Sequence, residues 1–139
     1  MTNNTIRIGL DVMGGDYAPD ATIKGCLMAE QAWGNKICIV LIGDEKIIRE
    51  KIREEGGDPS AFDIIHAQDK MSMSASPVKS FAEKPQSSIA IGFDMLKSGA
   101  IDGFTSAGNS GAMLAGSYLK IGLIREDLRP CLVTMLPNL

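Results

Sequence analysis

Histidine is nearly missing from this sequence: its 139 residues include one, His66. A Ser-His-Asp triad would have to use that residue, and a lone histidine at a strand end is read as structural. Cysteine is scarce as well. Cys26, Cys38 and Cys131 are odd in number and widely spaced, which excludes a disulfide framework and a clustered zinc site. Buried, reduced thiols are expected instead. Aromatic residues make up 5%, so Ile, Leu, Val, Met and Ala must fill the interior. Positive charge is not in excess, the net charge being −3, and a basic face for nucleic acid is therefore absent.

Long apolar runs are lacking too. The longest uncharged stretch, Gly103 to Leu119, carries four glycines and three serines. It falls short of the roughly 20 apolar residues that a membrane-crossing helix needs. The first residues have no basic segment leading into an apolar one, so no secretion signal is read and a cytoplasmic location is expected. Neither G-x-G-x-x-G nor G-x-S-x-G occurs, which removes the usual dinucleotide turn and the nucleophile elbow. No cofactor is expected.

What is present is a regular alternation of strand and helix. Ile6–Val12 reads as a buried strand, and the turn Met13–Asp16 leads to a helix over about 18–33. Ala21, Gly25, Met28 and Ala32 are its expected inner face. Ile37–Ile42 is a dense apolar strand, after which Asp44 caps a helix to about Glu55 with Ile47, Ile48 and Ile52 on one face. Phe62–His66 is a third strand. A helix capped by Ser87 or Ser88 runs to about Lys97, and Ile101–Thr105 is a fourth strand. A very apolar helix spans Ser110–Ile121, and Cys131–Leu136 begins a fifth strand. This order predicts one doubly wound α/β domain, a mainly parallel sheet with helices on both faces. The 67–86 connection is long, as functional loops often are.

In such sheets ligands bind beyond the carboxyl ends of the strands. Two turns there stand out among the 15 glycines of the chain. Asp11–Asp16 places Gly14 and Gly15 between two carboxylates, suited either to orienting a neighbouring group or to plain helix capping. Thr105–Gly111 sets small residues and hydroxyls at a helix start, suited to an anion such as phosphate or, equally, to an Asn109 cap with close helix–strand packing. Gly103 to Ser110 has the spacing of a P-loop, but Asn109 stands where the lysine belongs, which argues against nucleotide hydrolysis.

These segments together resemble the fatty acyl-ACP:phosphate acyltransferase (PlsX) family. The resemblance rests on Asp11-Val-Met-Gly-Gly-Asp-Tyr-Ala-Pro19, Val40-Leu-Ile-Gly-Asp-Glu45, Ile65-His-Ala67 with Met73 and Pro77, Ser87-Ser88-Ile89, Ser106-Ala-Gly-Asn-Ser-Gly-Ala112 and Arg129-Pro130, in that order. It implies a fold like that of phosphotransacetylases and isopropylmalate-type dehydrogenases. Residues 1–139 would be its amino-terminal part, the rest of the family's chain being absent, and little activity is expected from this part alone. The implied reaction moves a long-chain acyl group from acyl carrier protein to inorganic phosphate, feeding phospholipid synthesis. Members are implied to be homodimers that associate peripherally with the membrane. Carried onto this sequence, Ser106, Gly108, Asn109, Ser110 and Gly111 would cradle phosphate or the oxyanion. Asp11, Gly14, Gly15 and Asp16 would form the facing wall, and Ser87 and Ser88 would add hydroxyls or amides. Where many members have Arg or several basic residues just before the paired serines, only Lys84 of Phe81–Gln86 keeps the positive charge here. Met71 and Met73 are read as flexible core packing rather than acyl-chain contacts. Two other readings stand beside this one: a short-chain phosphotransacylase acting on acyl-CoA, and a non-catalytic phosphate-binding module.

Overall fold

The computed structural model describes residues 5–34, 36–69, 81 and 83–135. The sheet grows around the most apolar segment of the chain. Strand β2 (Ile37–Gly43) lies between β1 (Ile6–Asp11) and β3 (Asp63–His66), and β4 (Gly103–Ser106) flanks β1 on its other side. All pairings are parallel, in the order β3-β2-β1-β4. The two-residue period of β2 divides the core. Leu41 joins Val12, Ile23, Ile48 and Ile52 on one side, whereas Val40 and Ile42 pack with Ala67 and Ile101 on the other. A strand buried on both faces is what a parallel sheet sandwiched between helices requires.

Helices α1 (Asp20–Trp33) and α2 (Glu45–Glu54) cover the first face, and α3 (Ser88–Ser98) and α4 (Ser110–Gly116) the second. Asp44 caps α2 as its sequence position predicts, its Oδ1 accepting from Lys46 N–H at 3.0 Å and Ile47 N–H at 3.2 Å. The fully buried Ile48 and Ile52 of α2 each contribute about 1.5–3 kcal/mol by removal from water. On the second face, Phe93 stands edge-on to Phe104 with ring centroids 5.3 Å apart. Gly92 and Gly116 let these rings in: a Cβ on Gly92 would lie 2.3 Å from Phe104, and one on Gly116 2.2 Å from Phe93. At the amino ends of the strands, Arg7 ties the sheet together. Its Nη2 donates to Asp63 Oδ2 at 2.8 Å and its Nε to the Ala100 carbonyl at 3.0 Å.

Several sequence expectations change. Helix α1 begins at Asp20, because Pro19 takes the position before the first turn. Its buried stripe is Ile23 and Cys26, not Ala21, Gly25, Met28 and Ala32, all of which are exposed. Ile23 lies two residues, or roughly 200°, from Ala21 around the helix, and the larger side chains take the core. The small-residue side of α1 instead edges an open apolar cavity of about 310 Å³ lined by Ile8, Leu10, Gly25, Ala29, Ile39 and Thr105. Helix α4 turns into a π-helical stretch, Ser117–Ile121, where Tyr118, Leu119 and Ile121 are half exposed. Cys131–Met135 is not a strand. It is exposed and, among the described residues, has no ladder neighbour, without which an extended segment gains no sheet hydrogen bonds. Leu136 and the methionines Met71 and Met73 lie outside the described residues, as do Pro77 and most of the connection leading to α3.

The thiols separate by the same logic. All three are free, with Cys26 buried, Cys38 partly buried and Cys131 exposed, the last against expectation because its segment is exposed along its described length. Burial pushes the Cys26 thiol from its ordinary 9.0 up to about 11. The folded state favours the neutral thiol, so this contribution to stability is complete below pH 9.0 and is lost as the pH rises through about 11. An aromatic disulfide reagent added to the native protein is expected to modify Cys131 at once and Cys26 only on unfolding. Equal rates at the two positions would show that the α1 packing is wrong.

Candidate functional site

The chain runs outward from β1 to β2 and β3 on one side, then returns to place β4 on the other. The β1–β4 boundary is therefore the switch point at which connections leave toward opposite faces, where an open parallel sheet forms its crevice. Register makes the crevice specific. Asp11, the last residue of β1, is the partner of Ser106, the last residue of β4, so the two bends emerge side by side at one level.

Hydrogen bonds knit them together. The Ser106 hydroxyl donates to Asp11 Oδ2 at 2.7 Å, and Ser106 Oγ accepts from the Gly108 N–H at 3.0 Å. Asp11 Oδ1 accepts from the Met13 N–H at 3.1 Å. The Asp11 side chain is thus buried, at 1% exposure, with both oxygens occupied. Gly14 closes over it. A Cβ there would stand 2.4 Å from Asp11 Oδ2, 2.7 Å from Ser106 Oγ and 3.0 Å from the Gly108 nitrogen, so no side chain fits. Gly15, at φ 108°, takes a conformation that L side chains rarely adopt and faces Ala107. On the α1 side the Thr22 hydroxyl donates to the Val12 carbonyl at 2.7 Å and holds the first bend from behind.

The remaining candidate residues lie in the first bend and at the starts of α3 and α4. Asn109 Oδ1 accepts from the Ala112 N–H at 3.0 Å and so caps α4, while Ser110 next to it is exposed and Gly111 partly buried. Asp16 is exposed in the first bend. Ser87 and Ser88 are buried, and the Ser87 hydroxyl caps α3 by accepting from the Ala90 N–H at 3.3 Å. Lys84 is partly buried, and its carbonyl accepts from the Ser87 N–H. The first turns of α3 and α4 share one cluster through Ile89, Ala90 and Ala112, which brings the two capped helix starts to the same end of the sheet. His66 serves the fold, since its Nδ1 accepts from the Glu45 N–H at 3.2 Å at the start of α2. No group of three His, Cys, Asp or Glu side chains among the described residues could hold a metal ion. What reading the sequence missed was the Asp11–Ser106 bond and the Thr22 brace. The first joins residues 95 apart, and only strand order makes them neighbours.

The family model described as "fatty acid synthesis protein" matches residues 6–139. The chain belongs to that family. Similar members include proteins named phosphate acyltransferase from Thermoanaerobacterium thermosaccharolyticum, 42% identical, and from Herpetosiphon aurantiacus, 39% identical, each over 96% of this chain. A third with that name, from Caldicellulosiruptor bescii, is 41% identical over 95% of this chain. The chain spans 38%, 36% and 39% of the length of these three relatives respectively. All six motifs of the resemblance fall within the matched stretch of this fatty acid synthesis family member.

Within that family frame, Gly14 gives a direct test of the crevice. Gly14→Ala is expected to cost about 1–3 kcal/mol through overpacking against Asp11 and Ser106, read as a lowered denaturation midpoint. A variant as stable as the parent would mean that the bends are not in contact.

Proposed function

We propose that this chain supplies the phosphate-binding wall of an enzyme that transfers a long-chain acyl group from acyl carrier protein to inorganic phosphate. The observation that carries this reading is the register of Asp11 with Ser106, which sets two glycine-rich bends against each other at the sheet's switch point. The names of the relatives support the reaction class.

The chemistry needs little from the protein beyond placement. A phosphate oxygen attacks the thioester carbonyl carbon, the carbonyl oxygen takes the charge, and the C–S bond breaks to release acyl-phosphate and the carrier thiol. A thiolate of pKa about 8.5 leaves without strong acid assistance. Catalysis then consists mainly of holding phosphate against the carbonyl and stabilising the oxyanion. In this proposal Asn109, Ser110 and Gly111 present polar groups to phosphate from the start of α4. Gly14, Gly15 and Asp16 form the opposite wall, and Ser87, Ser88 and Lys84 border the site from the start of α3. The net charge of −3 suits neither docking of an acidic carrier nor attachment to an anionic membrane, so both are assigned to the remainder of a full-length enzyme.

Acyl-phosphate formation from palmitoyl-acyl carrier protein and phosphate tests the reading, with the 139-residue chain compared with a full-length enzyme that contains it. The full-length enzyme is expected to turn over and the shorter chain to show little activity. In the full-length enzyme, Asn109→Ala is expected to lower kcat/KM for phosphate about 100-fold, the usual cost of one lost oxyanion or anion donor. An unchanged value removes Asn109 from the site. Turnover of acetyl-CoA but not of the palmitoyl carrier selects the short-chain reaction instead.

A further inference from the structure

The closeness of a serine hydroxyl to a carboxylate suggests a base activating a nucleophile, but the serine oxygen is itself engaged, accepting the Gly108 N–H at 3.0 Å. We propose that Asp11 is a positioning residue that acts through Ser106 to fix the backbone from Ser106 to Asn109. The kinetic half of its test rests on the phosphate reading given above.

Three observations carry it. A carboxylate oxygen accepts and does not donate, so the 2.7 Å contact commits the Ser106 proton to Asp11 Oδ2. With its proton turned inward, Ser106 Oγ offers a lone pair to the Gly108 N–H, which it accepts at 3.0 Å. The other oxygen of Asp11 accepts from the Met13 N–H at 3.1 Å, so the carboxylate is held at both oxygens, and at 1% exposure it is shielded from bulk solvent. Ser106 is thereby spent on the loop. Its proton faces the protein, and its oxygen carries an N–H, which lowers rather than raises nucleophilicity. The chain Met13–Asp11–Ser106–Gly108 instead fixes the direction in which Asn109 and Ser110 leave the sheet, because one residue separates Gly108 from Ser110.

Exchanging the carboxylate for an amide tells positioning from base catalysis. Asp11→Asn keeps an acceptor for the Met13 N–H and presents an N–H to Ser106 Oγ, which still accepts from Gly108. Asp11→Ala and Ser106→Ala each break the chain. In the 139-residue protein, amide exchange of Gly108 followed by NMR is expected to speed up about tenfold in Asp11→Ala and in Ser106→Ala, the equivalent of one hydrogen bond. It should stay close to the parent rate in Asp11→Asn. In the full-length enzyme the two alanine variants are expected to raise the phosphate KM about tenfold with little change in kcat. The double variant should be no worse than either single one, because both remove the same link. Rescue by Asp11→Asn in both assays supports positioning. Damage from Asp11→Asn equal to that from Asp11→Ala, or an acyl group found on Ser106 by mass spectrometry, overturns it. If no variant, parent included, makes acyl-phosphate, the phosphate reading falls, while the Gly108 exchange rates still decide the role of Asp11. Should Asp11→Ala not fold, Ser106→Ala against Asp11→Asn gives the same comparison.

Discussion

The parallel pairing of β1 with β4 is the constraint on which the rest of this structure hangs. It alone brings the end of the first strand beside the end of the fourth, and it does so at matched register, Asp11 against Ser106. Shifted by one residue, the two side chains would point to opposite faces, the Gly108 amide would lose its acceptor, and the glycines of the first bend would have nothing to make room for. Burying a carboxylate costs several kcal/mol unless its oxygens are satisfied, and here each accepts a hydrogen bond. The site is therefore also a register lock.

The two faces of the sheet solve different packing problems. Beneath α1 and α2 branched aliphatic chains do the filling, with Ile23, Ile48 and Ile52 fully buried. Beneath α3 and α4 the aromatic rings Phe81, Phe93 and Phe104 are concentrated, and glycines on both helices and strand make space for them. The second face is the one that positions Asn109, since α4 is held by these rings. A volume change at Phe93 or Gly116 would be transmitted to the start of α4 through a close-packed interior.

Much of this was legible in the sequence. The alternation of apolar strands and capped helices indicates a parallel α/β sheet because both periodicities are strong, and Asp44 read correctly as a cap because capping is local chemistry; for Asn109 capping stood level with anion binding, and its Oδ1 does cap α4. The two site bends were legible as unusual glycine-bearing turns at strand ends. Their contact was not: the Asp11–Ser106 bond is a consequence of topology rather than of spacing. The buried side of α1 was misread because two apolar stripes compete on that helix, and composition does not say which one meets the sheet. Cys131–Met135 looks like a strand by residue type, yet a strand exists only with a neighbour to pair with.

The long sequence separation between β1 and β4 also bears on how the molecule assembles. β1, α1, β2, α2 and β3 follow one another with short links, so their contacts close small loops. The last parallel edge closes a loop of 95 residues, and the entropy of loop closure rises with that length. The crevice therefore depends on a long-range strand pairing, whose closure carries a larger entropic cost than the short-range β1–β2 and β2–β3 pairings.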